Sequence, residues 1–175
     1  MKEKDALDLL RKSGCSSGVI EHCQAVAAYS REIAMDIMNC IREKKAQVDI
    51  DIELVYIGGL LHDIGRSRTD GISHAVEGAK IMIENGLDEK LIHIIERHIG
   101  AGILEGEAVT LGLPAKDYIP LTIEEKIVAH ADNLISGTAI VSIDEKVEGL
   151  RNKQFDEKII QRIIELNNEL CTLRC

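Results

Sequence analysis

At 175 residues the chain has the length of one domain, and 45% apolar residues are enough to fill its core. A net charge of −9 and only 2% aromatic residues weigh against a nucleic-acid surface, which needs clustered cations and stacking rings. No stretch approaches the ~20 apolar residues of a membrane span, and neither a signal peptide nor a CxxC pair is seen, so a cytoplasmic protein with reduced thiols is expected.

Residues 3–12 read as a short helix closed by Gly14. Apolar residues at 19, 23, 26, 29, 33, 37 and 41 keep helical spacing, which predicts a long amphipathic helix over about 18–43 with His22 near its start. The next segment is ambiguous. Val48, Ile50, Ile52 and Leu54 alternate as a strand would, whereas Asp51 and Glu53 resemble a helix N-terminus. We favour a helix over about 52–63 that carries His62 and Asp63 at its end and is closed by Gly65. Ser73 is a candidate cap for 74–85, and Asp88 for 89–98.

Glycine or proline at 100, 102, 106, 112, 114 and 120 makes 99–121 a loop with at most one helical turn. Thr122 and Glu125 form a capping box for a helix of about 123–136. The charged runs at 42–45 and 144–158 read as solvated faces. From 156, Ile159, Ile163, Leu166, Leu170 and Leu173 form a seam that either packs on the core or joins two subunits of a homodimer. The architecture is all-α, with no internal repeat and no linker.

Only six histidines are present, and four of them fall in the segments Glu21-His22, His62-Asp63, His74 and His98, with Asp132 to follow. Imidazoles and carboxylates are the ligands of borderline divalent metals such as Mn, Fe, Co, Ni and Zn. Neighbours on a helix point about 100° apart, yet at a helix end His62 and Asp63 can converge on one ion, with Asp63 free to bridge to a second. A structural His–Asp hydrogen bond is the plainer alternative. Asp132 lies within the apolar run Ile127 to Ile135, where an unpaired carboxylate would be costly. Arg66, just past Gly65, can pair with nearby Asp70 at the surface. His93 and His130 are set aside by spacing, Cys23 reads as a small buried residue, and Glu21 as a group orienting His22.

On Val19-Ile20-Glu21-His22, His62-Asp63-Ile64-Gly65-Arg66, the later histidine and Ala131-Asp132, the sequence resembles the HD superfamily of metal-dependent phosphohydrolases, in its HDIG subgroup. The resemblance spans about 18–136, and SHAVEGAKIM and HADNLI look like segments of small stand-alone HDIG proteins. It implies a single HD domain over 1–175, a helical bundle with metal at its centre. By position, His22, His62, Asp63 and Asp132 would bind one ion, and His74 and His98 a second bridged by Asp63. With one ion, His74 and His98 would serve substrate or protons instead.

The implied activity is a phosphomonoesterase or phosphodiesterase acting on a small phosphate ester, foremost a nucleotide, by attack of a metal-bound hydroxide. Asp63 and Arg66 would be catalytic, and Arg66, Arg97 and Asn133 would contact substrate. Two other classes stay open: a di-iron oxygenase, and a nucleotide-binding regulatory module without turnover.

Overall fold

The computed structural model describes residues 1–43 and 49–174. Its helices begin where short polar side chains can satisfy free amides. Asp51, Asp88, Thr122, Ser142 and Asp156 each accept a backbone N–H from the first turn that follows. The helices are α1 (Glu3–Ser13), α2 (Ser17–Glu43), α3 (Ile52–Leu61), α4 (His74–Glu84) and α5 (Glu89–Arg97), then α6 (Glu105–Thr110), α7 (Ile123–Asn133), α8 (Ile143–Asn152) and α9 (Glu157–Leu173). A 3-10 turn, Ile64–Ser67, follows α3, and a two-residue antiparallel hairpin, β1 (Ile135–Ser136) with β2 (Ala139–Ile140), follows α7.

Several expectations hold and several shift. Gly14 closes α1 in the left-handed region at φ 92°. The segment from Ile52 is helical, while Val48 lies outside the described residues. Ser73 precedes α4 but makes no capping bond with its side chain. Thr122 accepts from the Glu125 amide, yet the Glu125 carboxylate turns to Arg97 and the Leu121 amide, so the capping box is half made. The seam from 156 packs on this chain's own core through Ile160, Ile163, Leu166 and Leu170. Cys15, Cys23 and Cys171 are free, but Cys40 is disulfide-bonded, against the expected reduced state. Among the described residues no helix is long and apolar enough to cross a membrane.

The GGLL run explains how α3 becomes the axis of the bundle. A Cβ on Gly59 would lie 2.7 Å from the Ala27 Cα of α2, and one on Gly58 would lie 2.8 Å from Ile94 of α5. Only glycines let the three helices approach this closely. Val55, Ile57, Leu60 and Leu61 then fill the space between, in two apolar clusters that share α2, α3 and α5. Because α3 is buried from Ile57 onward, its C-terminal end delivers His62 and Asp63 into the interior.

Candidate metal centre

Six side chains from five helices and one turn meet at that end of α3. His22 comes from the start of α2, His62 from the C-cap of α3, and Asp63 from the residue before the 3-10 turn. His74 opens α4, His98 caps α5, and Asp132 lies in the last turn of α7. His62, Asp63, His74 and His98 are all buried.

Main-chain carbonyls hold the four imidazoles. His62 Nδ1 pairs with Gly59 O at 2.8 Å, His74 Nδ1 with Gly71 O at 2.8 Å, and His98 Nδ1 with Ile95 O at 2.7 Å. His22 Nδ1 pairs with Gly137 O of the β1–β2 turn at 2.8 Å. A carbonyl accepts only, so each Nδ1 must carry the hydrogen and donate it. At His62 and His98 the acceptor is a last-turn carbonyl that the helix leaves free, which is why an imidazole at the C-cap is well placed. With Nδ1–H committed, Nε2 of each neutral ring presents a lone pair to the interior.

These lone pairs face carboxylate oxygens and one another. His22 Nε2 and His62 Nε2 lie 3.0 and 3.4 Å from Asp132 Oδ1, and His62 Nε2 lies 3.7 Å from Asp63 Oδ2. Asp63 Oδ1 sits 3.1 Å from His74 Nε2 and 3.6 Å from His98 Nε2, which are 3.1 Å apart. Asp63 therefore turns one oxygen toward each half of the cluster. Two three-residue groups, His22–His62–Asp132 and His62–Asp63–His98, have donor atoms within 4.8 Å of one another.

Among the described residues, buried His62 Nε2 and Asp63 Oδ1 have no hydrogen-bond partner, a costly state that a divalent ion would relieve. The charges lean the same way. Burial pushes the Asp63 and Asp132 carboxyls up, but the surrounding imidazoles outweigh it and hold both well below the usual carboxylate range. Burial would depress His62, yet Asp63, Cys23 and Asp132 raise it well above the ordinary imidazole value. Burial is also the main cause that lowers His98. The residues thus fit a divalent ion in kind, tautomer and charge.

A cleft of about 400 Å³ opens onto the cluster past His74, His98 and Asp132. Arg66 lies on its wall, where Nε donates to Asp63 Oδ2 at 2.5 Å and Nη1 to the Asp70 carbonyl at 3.4 Å; the expected Arg66–Asp70 carboxylate pair is absent. Asn133 also lines the cleft, and its Nδ2 donates to Gly100 O at 2.7 Å, tying α7 to the turn after His98.

Arg97, expected at the substrate, is turned away. It donates to both oxygens of buried Glu125, at 3.2 and 3.0 Å, and is absent from the cleft wall. Glu125 had been read only as a cap, which hid its need for a buried cation. Glu21 is exposed, and the Gly137 carbonyl orients His22 in its place. His93 lies at the surface, 3.8 Å from Glu89. His130 is buried outside the cluster, and burial pushes its pKa down to about 4.

Sequence reasoning missed Lys146. It lies on α8, within a run read as solvated, yet it lines the cleft beside Asp132 and Asn133. Burial there lowers its pKa from the usual lysine value. A helix of charged residues on a bundle signals exposure by default, and nothing in the local pattern says that one lysine faces inward.

The HD-domain family profile matches residues 19–137, from the start of α2 through the β1–β2 turn. The chain belongs to the HD-domain family. Among its relatives, an uncharacterized protein of Methanocaldococcus jannaschii is 52% identical over 99% of both chains. This HD-domain protein is also 43% identical, over 98% of its length, to a Thermoplasma volcanium protein named tRNA (cytidine(56)-2'-O)-methyltransferase; it spans 47% of that longer chain. In fold it is similar to the HD domain of the L. monocytogenes phosphodiesterase PgpH, solved in complex with cyclic-di-AMP. The TM-score is 0.53 at 18% identity, over 97% of this chain and 95% of that one.

Proposed function

We propose that this HD-domain protein is a metal-dependent phosphohydrolase that cleaves a small phosphate ester, foremost a nucleotide. One observation carries the reading: four imidazoles held through Nδ1 by main-chain carbonyls aim their Nε2 atoms at the Asp63 and Asp132 carboxylates, and among the described residues buried Asp63 Oδ1 and His62 Nε2 have no hydrogen-bond partner. In this reading His22, His62, Asp132 and Asp63 Oδ2 hold one ion, and His74, His98 and Asp63 Oδ1 hold the second. When bound, such ions supply Lewis acidity toward phosphoryl oxygens and a water acidic enough to ionise near neutrality.

The protein's own part is to position and to exclude. The imidazoles are fixed before any ligand arrives, so little reorganisation is needed at the moment of reaction. Arg66 lines the same wall, and its planar fork is suited to a phosphate bound there. The carbonyl anchor on Asn133 keeps the α7 end of the site in register with His98. Support from outside the chain comes from the fold of PgpH, a phosphodiesterase solved with a nucleotide ligand.

The test is turnover of phosphate esters by protein reconstituted with Mn, Fe, Co or Ni, with oxygen consumption followed in the iron-loaded sample. Release of inorganic phosphate or of a phosphomonoester, lost on chelation, is the expected result. Oxygen uptake without phosphate release would move the protein to the oxygenase class. Tight nucleotide binding with no product would leave the regulatory module.

A further inference from the structure

Among the described residues three cations border the cleft, and two of them have carboxylate partners. Arg66 is held by Asp63, and Arg162 donates to both oxygens of Glu107 at 2.9 and 2.7 Å. The Lys146 ammonium makes no hydrogen bond and no ion pair among the described residues. Asp132 attracts it and Lys153 repels it. A half-buried ammonium without an acceptor, facing a ligand cleft, is incomplete until an anion meets it.

The wall beyond Lys146 is of a different character. Leu150 of α8, Phe155 of the α8–α9 turn, and Ile159 and Ile163 of α9 make it apolar. Phe155 is the only phenylalanine in the chain, and 48% of it is exposed. An aromatic ring left open at the mouth of a cleft offers a face on which a flat ring can stack. The size of the cleft sets an upper limit: about 400 Å³ lies near the lower end of ligand pockets, which run to about 1,000 Å³.

We propose that Lys146 binds the substrate phosphate and that the α8–α9 wall, with Phe155 at its rim, accepts one flat organic group. The substrate is then a compact phosphate ester of mononucleotide size, not a linked dinucleotide. This rests on the phosphohydrolase reading for the meaning of the site, but the binding it describes does not require turnover.

Calorimetric titration of the metal-reconstituted protein with inorganic phosphate, with a nucleoside monophosphate and with a cyclic dinucleotide separates these claims. In Lys146→Met both phosphate and the monophosphate bind at least about tenfold more weakly, metal content is unchanged, and Lys146→Arg recovers most of the loss. In Phe155→Ala the monophosphate weakens about tenfold while inorganic phosphate keeps its affinity. Phosphate binding to Lys146→Met as tight as to wild type would overturn the role of Lys146. Equal loss of both ligands, or of neither, in Phe155→Ala would overturn the stacking wall. A cyclic dinucleotide binding as tightly as the mononucleotide would overturn the size limit. A wild type that binds phosphate but turns over no ester counts against the phosphohydrolase reading alone.

Discussion

Replacing Asp63 by asparagine lowers phosphohydrolase activity by about 10³-fold, close to 4 kcal/mol of transition-state stabilisation, while the helical content is kept. The substitution is nearly isosteric but removes the charge that faces both halves of the cluster. Asp63 Oδ2 lies toward His62 and Asp63 Oδ1 toward His74 and His98, and among the described residues no other carboxylate faces both halves. Asparagine also puts a donor where a metal ligand must be an acceptor. Circular dichroism and elemental analysis check the outcome together: a folded protein with less than half the wild-type metal. Wild-type metal and activity in the folded variant would show that Asp63 is not a ligand.

Gly65→Ala carries the second large effect, and it acts through the backbone. A methyl group there runs into the His74 carbonyl oxygen and lies 2.5 Å from the Gly78 amide nitrogen, both main-chain atoms that cannot rotate away. The 3-10 turn must then lift off α4, which separates Asp63 from His74. Overpacking against rigid neighbours costs about 3 kcal/mol, which lowers the thermal midpoint by about 6–12 °C in a chain of this size. Gly18→Ala is the matched control, since a Cβ there meets nothing within 4 Å and alanine favours the helix. A midpoint for Gly65→Ala equal to that of the control would show that the turn and α4 are not packed backbone to backbone. The glycine of the His-Asp-Ile-Gly run is therefore needed for the approach of α4 more than for a turn conformation.

Much of the site was legible because its elements are local. Each of His62, His74 and His98 sits at a helix boundary that caps and glycines mark in the sequence, and Asp132 stands out as a carboxylate in an apolar helix. The Nδ1 anchors at His62, His74 and His98 are local too, each three residues back in the chain. The anchor of His22 is not, since Gly137 lies more than a hundred positions away and belongs to a hairpin too short to leave an alternating pattern. Arg97 and Lys146 were misread for one reason. Whether a long charged side chain turns toward a neighbour or a cleft depends on tertiary packing, and Glu125 and the α8–α9 wall come from elsewhere in the chain. The C-terminal seam was readable as apolar, but only the fold shows that α2 and α7 cover it.

Elemental analysis of the wild type beside His98→Ala tests the central claim most directly. The expected result is about two divalent ions per wild-type chain and about one in His98→Ala, because in the proposed assignment His98 and His74 would hold the ion on Asp63 Oδ1. A wild type that remains metal-free after reconstitution with Mn, Fe, Co, Ni or Zn would contradict it.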